Sequence, residues 1–147
     1  MRAGQSPRSA LAVGAVAALV AAACGDPAQE IERRRAAYEA SLAGFLVRDD
    51  PAAERPTIVL DVLVRGAARP PLAGLTLDVS MADAAGREKA HRRAWVDLAG
   101  VGPGGVQTAV TLEGLEYAPG DGFWVEVRSP VPPAERGEYR ELGGGGG

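Results

Sequence analysis

The chain has 147 residues, with 16 Lys and Arg against 19 Asp and Glu, and a single cysteine. A net charge of −3 gives no electrostatic attraction to nucleic acid or to an anionic membrane, so neither is expected as a partner through charge. The single cysteine allows no intramolecular disulfide, and the length suffices for one domain but not for two.

The first 23 residues have the three zones of a secretory signal peptide. Met1 to Arg8 carries Arg2 and Arg8 and no acid, and residues 9–23 form an apolar run rich in Ala, Val and Leu that leads into Cys24. A positive start, about 7–15 apolar residues and a small-residue exit are typical of such peptides. The apolar run of residues 9–23 is too short for a membrane-spanning helix, which needs about 20 apolar residues.

The stretch Leu19–Cys24, LVAAAC, resembles the lipobox of bacterial lipoproteins, although Ala21 stands where that family more often has Leu. The resemblance implies cleavage after Ala23 and acylation of Cys24 with palmitate-type chains. Several chains anchor a protein stably, whereas one is marginal. The protein would then sit in the cell envelope, on the outer leaflet of the cytoplasmic membrane or on the periplasmic side of an outer membrane. Plain secretion with an incidental cysteine, and an apolar helix retained as an anchor, are the alternatives.

Beyond the signal peptide we expect a lipidated leader over residues 24–29 and a helix with its linker over residues 30–55. The helix should run from about Pro27 to Val47, with Asp26 as its N-cap, and should end before Pro51. Three-to-four spacing defines its apolar stripe, which consists of Ile31, Arg35, Tyr38, Leu42 and Phe45.

From Pro56 the apolar period changes to two, which predicts strands. Turn sequences separate five of them, around Ile58–Val64, Leu75–Met81, Arg87–Leu98, Val106–Leu112 and Phe123–Val127. This pattern predicts an antiparallel β-sandwich or small barrel over residues 56–130. Prolines around Val131 favour an exit along a sheet edge over a sixth strand. Residues 131–147, charged and ending in five glycines, are expected to form a flexible tail.

Residues 71–127 resemble the immunoglobulin-like modules of bacterial envelope proteins, in particular the FxLYD type. The resemblance lies in Pro71–Val79, in the hairpin Asp83–Gly86 and in the later pair of alternating strands. It implies an all-β protein with a small immunoglobulin-like antiparallel β-sandwich, here preceded by one N-terminal amphipathic α-helix. Such modules are mostly binding or spacer domains, so the resemblance implies a fold more than an activity.

No residue constellation nominates a reaction. His91, the only histidine, stands among Lys89, Arg92 and Arg93, and these cations disfavour a protonated ring or a bound metal. A zinc site of the N/S kind lacks cysteine ligands, and no serine lies in a G-x-S-x-G turn. We therefore expect no catalytic residue, no metal and no cofactor, and we predict that the protein is not an enzyme.

Trp95 and Trp124 are the candidate site residues, because strand alternation points both away from the core. Three interpretations are open. The predicted helix covers both through Ile31, Tyr38, Leu42 and Phe45; the tryptophans form a recognition surface; or a bulge turns one of them into the core.

The leading functional hypothesis is a non-enzymatic, membrane-anchored envelope lipoprotein. Its partners would be membrane lipid, through acylated Cys24, and an envelope protein bound by the sandwich or assembled with it. The alternative is a lipoprotein that binds a small ligand or glycan through Trp95 and Trp124. A hydrolase ranks third, because His91 has no marked nucleophile beside it.

Overall fold

The computed structural model describes residues 25–142, so the expected signal peptide, Cys24 and the five final glycines lie outside the described range. The elements in chain order are α1 (Pro27–Arg35), β1 (Tyr38–Arg48), β2 (Thr57–Gly66), β3 (Gly74–Ala82), β4 (Glu88–Asp97), β5 (Val106–Leu112), β6 (Gly122–Val127) and a C-terminal 3-10 helix (Pro133–Glu138). Within that range, no helix has the length and apolarity needed to cross a membrane.

The six strands form two three-stranded antiparallel sheets, in the orders β1-β2-β5 and β4-β3-β6. This confirms the predicted all-β sandwich with a helix before it.

The two middle strands, β2 and β3, supply the centre of the core. Alternate residues of each strand point to the opposite sheet, so one face of each strand is buried between the sheets. These inward side chains are at most 1% exposed; they are Ile58, Leu60, Val62 and Val64 of β2 and Leu75, Leu77, Val79 and Met81 of β3. The period-two prediction for these segments is confirmed.

The predicted helix to Val47 is wrong beyond Arg35, because Tyr38–Arg48 is the edge strand β1. Leu42 pairs with Val62 and Gly44 with Asp61, so Ala43 is an extra residue in a β-bulge. Such a bulge shifts the alternation by one residue. The inward positions are therefore 38, 40 and 42, then 45 and 47, and this spacing imitates the stripe of a helix.

The N-terminal cap is as predicted. The Asp26 side chain accepts a hydrogen bond from the Ala28 backbone N–H at 3.0 Å, and Pro27 opens α1. Beyond the cap, Glu32 fixes the helix to the end of the chain: its carboxylate accepts from the Val131 N–H at 2.7 Å and from Ser129 Oγ at 3.1 Å.

The expected flexible tail is wrong for residues 131–142. Val131 and Tyr139 are 3% and 7% exposed and belong to the core. The Ala73 N–H donates to the Arg140 carbonyl at 2.6 Å, and the Leu142 N–H donates to the Pro71 carbonyl at 3.1 Å. Two buried apolar side chains and these backbone hydrogen bonds hold a segment whose overall composition is charged. The ordered domain therefore extends from α1 to residue 142 and is not confined to residues 56–130.

The carboxylate of Asp121 holds the loop before β6, and its hydrogen bonds make the stability of the fold sensitive to acid. Asp121, 7% exposed, accepts from Lys89 Nζ at 2.5 Å and from the Ala118 N–H at 2.8 Å. The hydrogen bond from Lys89 is the main cause that lowers the pKa of Asp121 below its ordinary value of 3.8. Hydrogen bonding by the Arg87 N–H likewise lowers the pKa of Asp83 in the β3–β4 turn.

We expect the folded protein to lose stability as the pH falls below about 4. A carboxyl group with a lowered pKa binds protons more readily in the unfolded chain, so its contribution is complete above the unfolded pKa and is lost as the pH falls through the folded one. Asp121→Asn should lower the urea midpoint at about pH 7 and flatten the loss toward about pH 3. Asp49→Asn is the control, because Asp49 is an exposed carboxylate directly after β1. An acid profile of Asp121→Asn that matches the unmodified protein would contradict this linkage.

Candidate functional site

Both tryptophans lie on the outer face of the β4-β3-β6 sheet. Trp95 of β4 pairs with Thr76 of β3, and Trp124 of β6 pairs with Ser80. The side chains are 45% and 41% exposed, so both point away from the core, as their strand positions predict. The alternative in which a bulge turns one of them into the core is wrong.

The interpretation in which the N-terminal helix covers both tryptophans is also wrong. Of the four side chains assigned to that cover, only Ile31 is in α1, and it packs against the core. Tyr38 is a buried core residue, and the Phe45 ring lies 4.9 Å from the Phe123 ring across the seam between β1 and β6. The tryptophans therefore remain half-exposed.

Two neighbouring residues, Gly74 and Tyr139, hold the Trp95 indole in place. A Cβ at Gly74 would lie 2.2 Å from Cζ2 of Trp95, so the indole lies directly over this glycine. The Tyr139 ring meets the indole edge-on, with 5.8 Å between centroids and 74° between planes. The Tyr139 hydroxyl accepts from the Thr76 N–H at 3.1 Å, which fixes the tyrosine in turn. An aromatic side chain that covers a glycine on the next strand restores packing that the glycine lacks.

The two tryptophans do not form one aromatic patch. Their partners on β3 are four residues apart, and β4 and β6 lie on opposite sides of β3. With about 3.3 Å per residue along a strand and about 4.8 Å between strands, their Cα atoms are roughly 16 Å apart.

A charge cluster lies on the sheet between them. Asp78 Oδ1 accepts from Arg128 Nη1 at 2.9 Å and lies 3.2 Å from His91 Nε2. Glu135 of the C-terminal 3-10 helix accepts from Arg128 Nε at 2.9 Å and contacts Arg93. The charges of the cluster are thus paired with one another. The cations next to His91 in sequence suggested a wholly basic surrounding, and the sequence did not reveal that the neighbouring strand places Asp78 beside it.

A cleft of about 620 Å³ opens next to Trp95. Its walls offer an indole face together with hydrogen-bond donors and acceptors, since they consist of Thr76, His91, Arg92, Arg93, Ala94, Trp95, Glu135 and Glu138. Glu138 Oε2 accepts from Thr76 Oγ1 at 3.2 Å. A second depression, of about 530 Å³, lies along the C-terminal segment and shares Trp95 and Glu138 with the first.

The geometry around His91 does not assemble a serine–histidine pair. Ser80 is opposite His91 in the β3–β4 register, but Ser80 is 8% exposed and its hydroxyl makes no hydrogen bond to the imidazole in the described part of the chain. A hydroxyl nucleophile needs such a bond to its base. Among residues 25–142, no three His, Cys, Asp or Glu side chains converge as metal ligands would.

The sequence singled out the tryptophans but missed the residues that shape their surroundings. Thr76 is an ordinary residue of β3, Arg128 directly follows β6, and Glu135, Glu138 and Tyr139 lie in the segment expected to be a flexible tail. The only available signal was Tyr139 itself, a large aromatic residue in an otherwise charged stretch.

No family model, no curated protein and no solved structure gives a significant match to this chain. The site is therefore interpreted from its own geometry.

Proposed function

We propose that the protein is a non-enzymatic envelope lipoprotein, anchored by acyl chains on Cys24, whose β-sandwich presents a binding surface close to the membrane. The lipobox-like stretch Leu19–Cys24 supports the anchor. Lipidation would also consume a thiol that is otherwise a liability in an oxidising compartment.

The observation that carries this proposal is the short distance along the chain between the anchor and the fold. Only Gly25 and Asp26 stand between Cys24 and the first residue of α1, and Asp26 already caps that helix. Three residues of extended chain span about 10 Å at most. A sandwich attached in this way would be held at the membrane surface and not on a long flexible linker.

The helix α1, which follows the attachment point, is firmly joined to the rest of the domain. Glu32 of α1 accepts hydrogen bonds from Ser129 and from the Val131 N–H, and Arg34 Nη2 lies 2.8 Å from Glu141 Oε1. The Arg35 guanidinium, 1% exposed, pairs with Glu32 at 2.8 Å and lies over the Tyr139 ring at 5.5 Å. These contacts favour a fixed orientation of the outer sheet faces relative to the anchor.

The half-exposed tryptophans support a presenting role over a purely structural one. Exposed aromatic side chains are favoured anchors at protein interfaces. Trp124 has no packing partner among the aromatic contacts within residues 25–142, in contrast to Trp95. An envelope protein that binds the sandwich would therefore be expected to engage Trp124.

Cys24→Ala tests the anchor. The variant should remain unprocessed, incorporate no labelled palmitate and keep its fold, because the core residues lie between Ile31 and Tyr139. Metabolic labelling, intact mass and circular dichroism measure these three properties. Ala21→Leu is the matched control, since it brings the stretch closer to the lipobox pattern and should still be lipidated. Cleavage of Cys24→Ala after Ala23 with continued membrane attachment would show that the anchor is not on this cysteine.

A further inference from the structure

We propose that the cleft beside Trp95 binds one ring of a neutral oligosaccharide, with the sugar stacked on the exposed face of the indole. This goes beyond membrane anchoring and presentation, and its test is independent of Cys24. It also differs from a site that uses both tryptophans, because the geometry assigns the cleft to Trp95 alone.

The indole is a preorganised platform. Gly74 lies under it, the Tyr139 ring packs against it in a T-shaped arrangement, and the hydrogen bond from the Thr76 N–H fixes Tyr139. A side chain held in this way loses little conformational entropy when a ligand binds. The remaining exposed fraction, 45% of Trp95, offers an apolar surface that matches the C–H face of a pyranose ring.

The polar groups around the indole suit hydroxyl groups. A hydroxyl both donates and accepts, and the cleft offers acceptors on Glu138 and donors on His91 and Arg93. Glu138 Oε1 has no hydrogen bond to residues 25–142, since the bond from Thr76 uses Oε2. His91 and Arg93 keep side-chain exposures of 44% and 54% despite their contacts with Asp78 and Glu135.

The balance of charge favours a neutral ligand. Glu135 faces both Arg93 and Arg128, and the lining of the cleft balances Arg92 and Arg93 against Glu135 and Glu138. An anionic ligand would have to compete with Glu135 and Glu138, whereas a neutral hydroxyl can bind without breaking an ion pair. The volume of about 620 Å³ lies within the range of small-molecule sites, about 300–1,000 Å³.

A proline-rich peptide is a less suitable occupant. Such peptides dock in grooves lined by several aromatic side chains. The second tryptophan on this face, Trp124, lies roughly 16 Å away by strand geometry, and the charge cluster occupies the space between.

The test is a titration of the full-length protein in detergent micelles with triacetylchitotriose and with cellotriose, two neutral trisaccharides, monitored by calorimetry and by indole fluorescence. We expect saturable binding of at least one trisaccharide, with a dissociation constant of about 0.1–1 mM. Trp95→Phe should weaken that binding roughly fivefold to tenfold. Trp124→Phe, a matched change on the same sheet face, should leave it unchanged. Near-ultraviolet circular dichroism and the thermal midpoint verify that both variants are folded.

Glu138→Gln separates ligand binding from packing, because it leaves the indole, Gly74 and Tyr139 in place. Loss of affinity in this variant, with an unchanged thermal midpoint, supports the proposal. The proposal is overturned if neither trisaccharide saturates the protein by about 10 mM, if Trp124→Phe weakens binding as much as Trp95→Phe, or if a proline-rich peptide binds in place of the sugars.

Discussion

Replacing Leu77 by alanine is expected to lower the free energy of unfolding by about 2–5 kcal/mol. Leu77 is fully buried and lies in the middle strand β3, between Ala94 of β4 and Val127 of β6. Its side chain faces the opposite sheet, so the substitution removes apolar contacts on every side and leaves a cavity. The surrounding strands are hydrogen-bonded on both edges of β3 and cannot close over the gap without losing ladder bonds.

Urea unfolding measures the effect, with the m-value as a test that the cooperative unit is unchanged. Leu46→Ala is the matched control, because Leu46 lies on the outer face of β1 and is 52% exposed. Its expected loss is about 0.5 kcal/mol or less. Equal losses for the two variants would contradict the assignment of Leu77 to the space between the sheets.

Replacing Gly66 by alanine should cost about 2–4 kcal/mol. Gly66 ends β2 opposite Tyr38 and has φ +109°, a conformation that side chains rarely adopt. A Cβ there would lie 2.0 Å from the carbonyl oxygen of Ala37. Because that oxygen belongs to the backbone between α1 and β1, no side-chain rotation relieves the clash, and the connection itself has to move.

Gly86→Ala provides the control, since Gly86 also has a positive φ, +79°, but no atom lies within 4 Å of its added Cβ. It should cost only the conformational strain, about 1–2 kcal/mol. Thermal unfolding compares the two variants, and amide exchange shows whether α1 is released in Gly66→Ala. If both variants lose the same stability, the close approach of Ala37 contributes nothing.

The strands that the sequence predicted correctly are those in which burial alone sets the pattern. In β2 and β3, every second residue is apolar without interruption, so period two is visible. In β1 the bulge at Ala43 changes the phase, and the resulting spacing of Tyr38, Leu42 and Phe45 equals that of an amphipathic helix. The segment forms a strand and not a helix because the edge of β2 needs a hydrogen-bonded partner strand. That requirement is not visible within the sequence of the segment itself.

For the candidate site, the direction of the tryptophans could be predicted and their surroundings could not. Alternation along one strand decides which way Trp95 and Trp124 point. The neighbours that make a cleft of the Trp95 surface come from the C-terminal segment, such as Tyr139, which is 63 residues from its partner Thr76. Contacts over such distances depend on the completed sandwich and leave no local pattern.

The contacts of α1 with the end of the chain determine when the domain can finish folding. Glu32 receives a hydrogen bond from a backbone amide 99 residues further along, and Arg34 pairs with a carboxylate 107 residues away. A chain that is released from the ribosome or through a membrane pore emerges with its N-terminus first. The residues of α1 then emerge early, but the site on which the helix docks exists only after the last dozen described residues have followed. Docking of α1 is thus a late step that requires residues 131–142, and a chain cut before residue 131 would leave the buried Arg35 exposed to solvent.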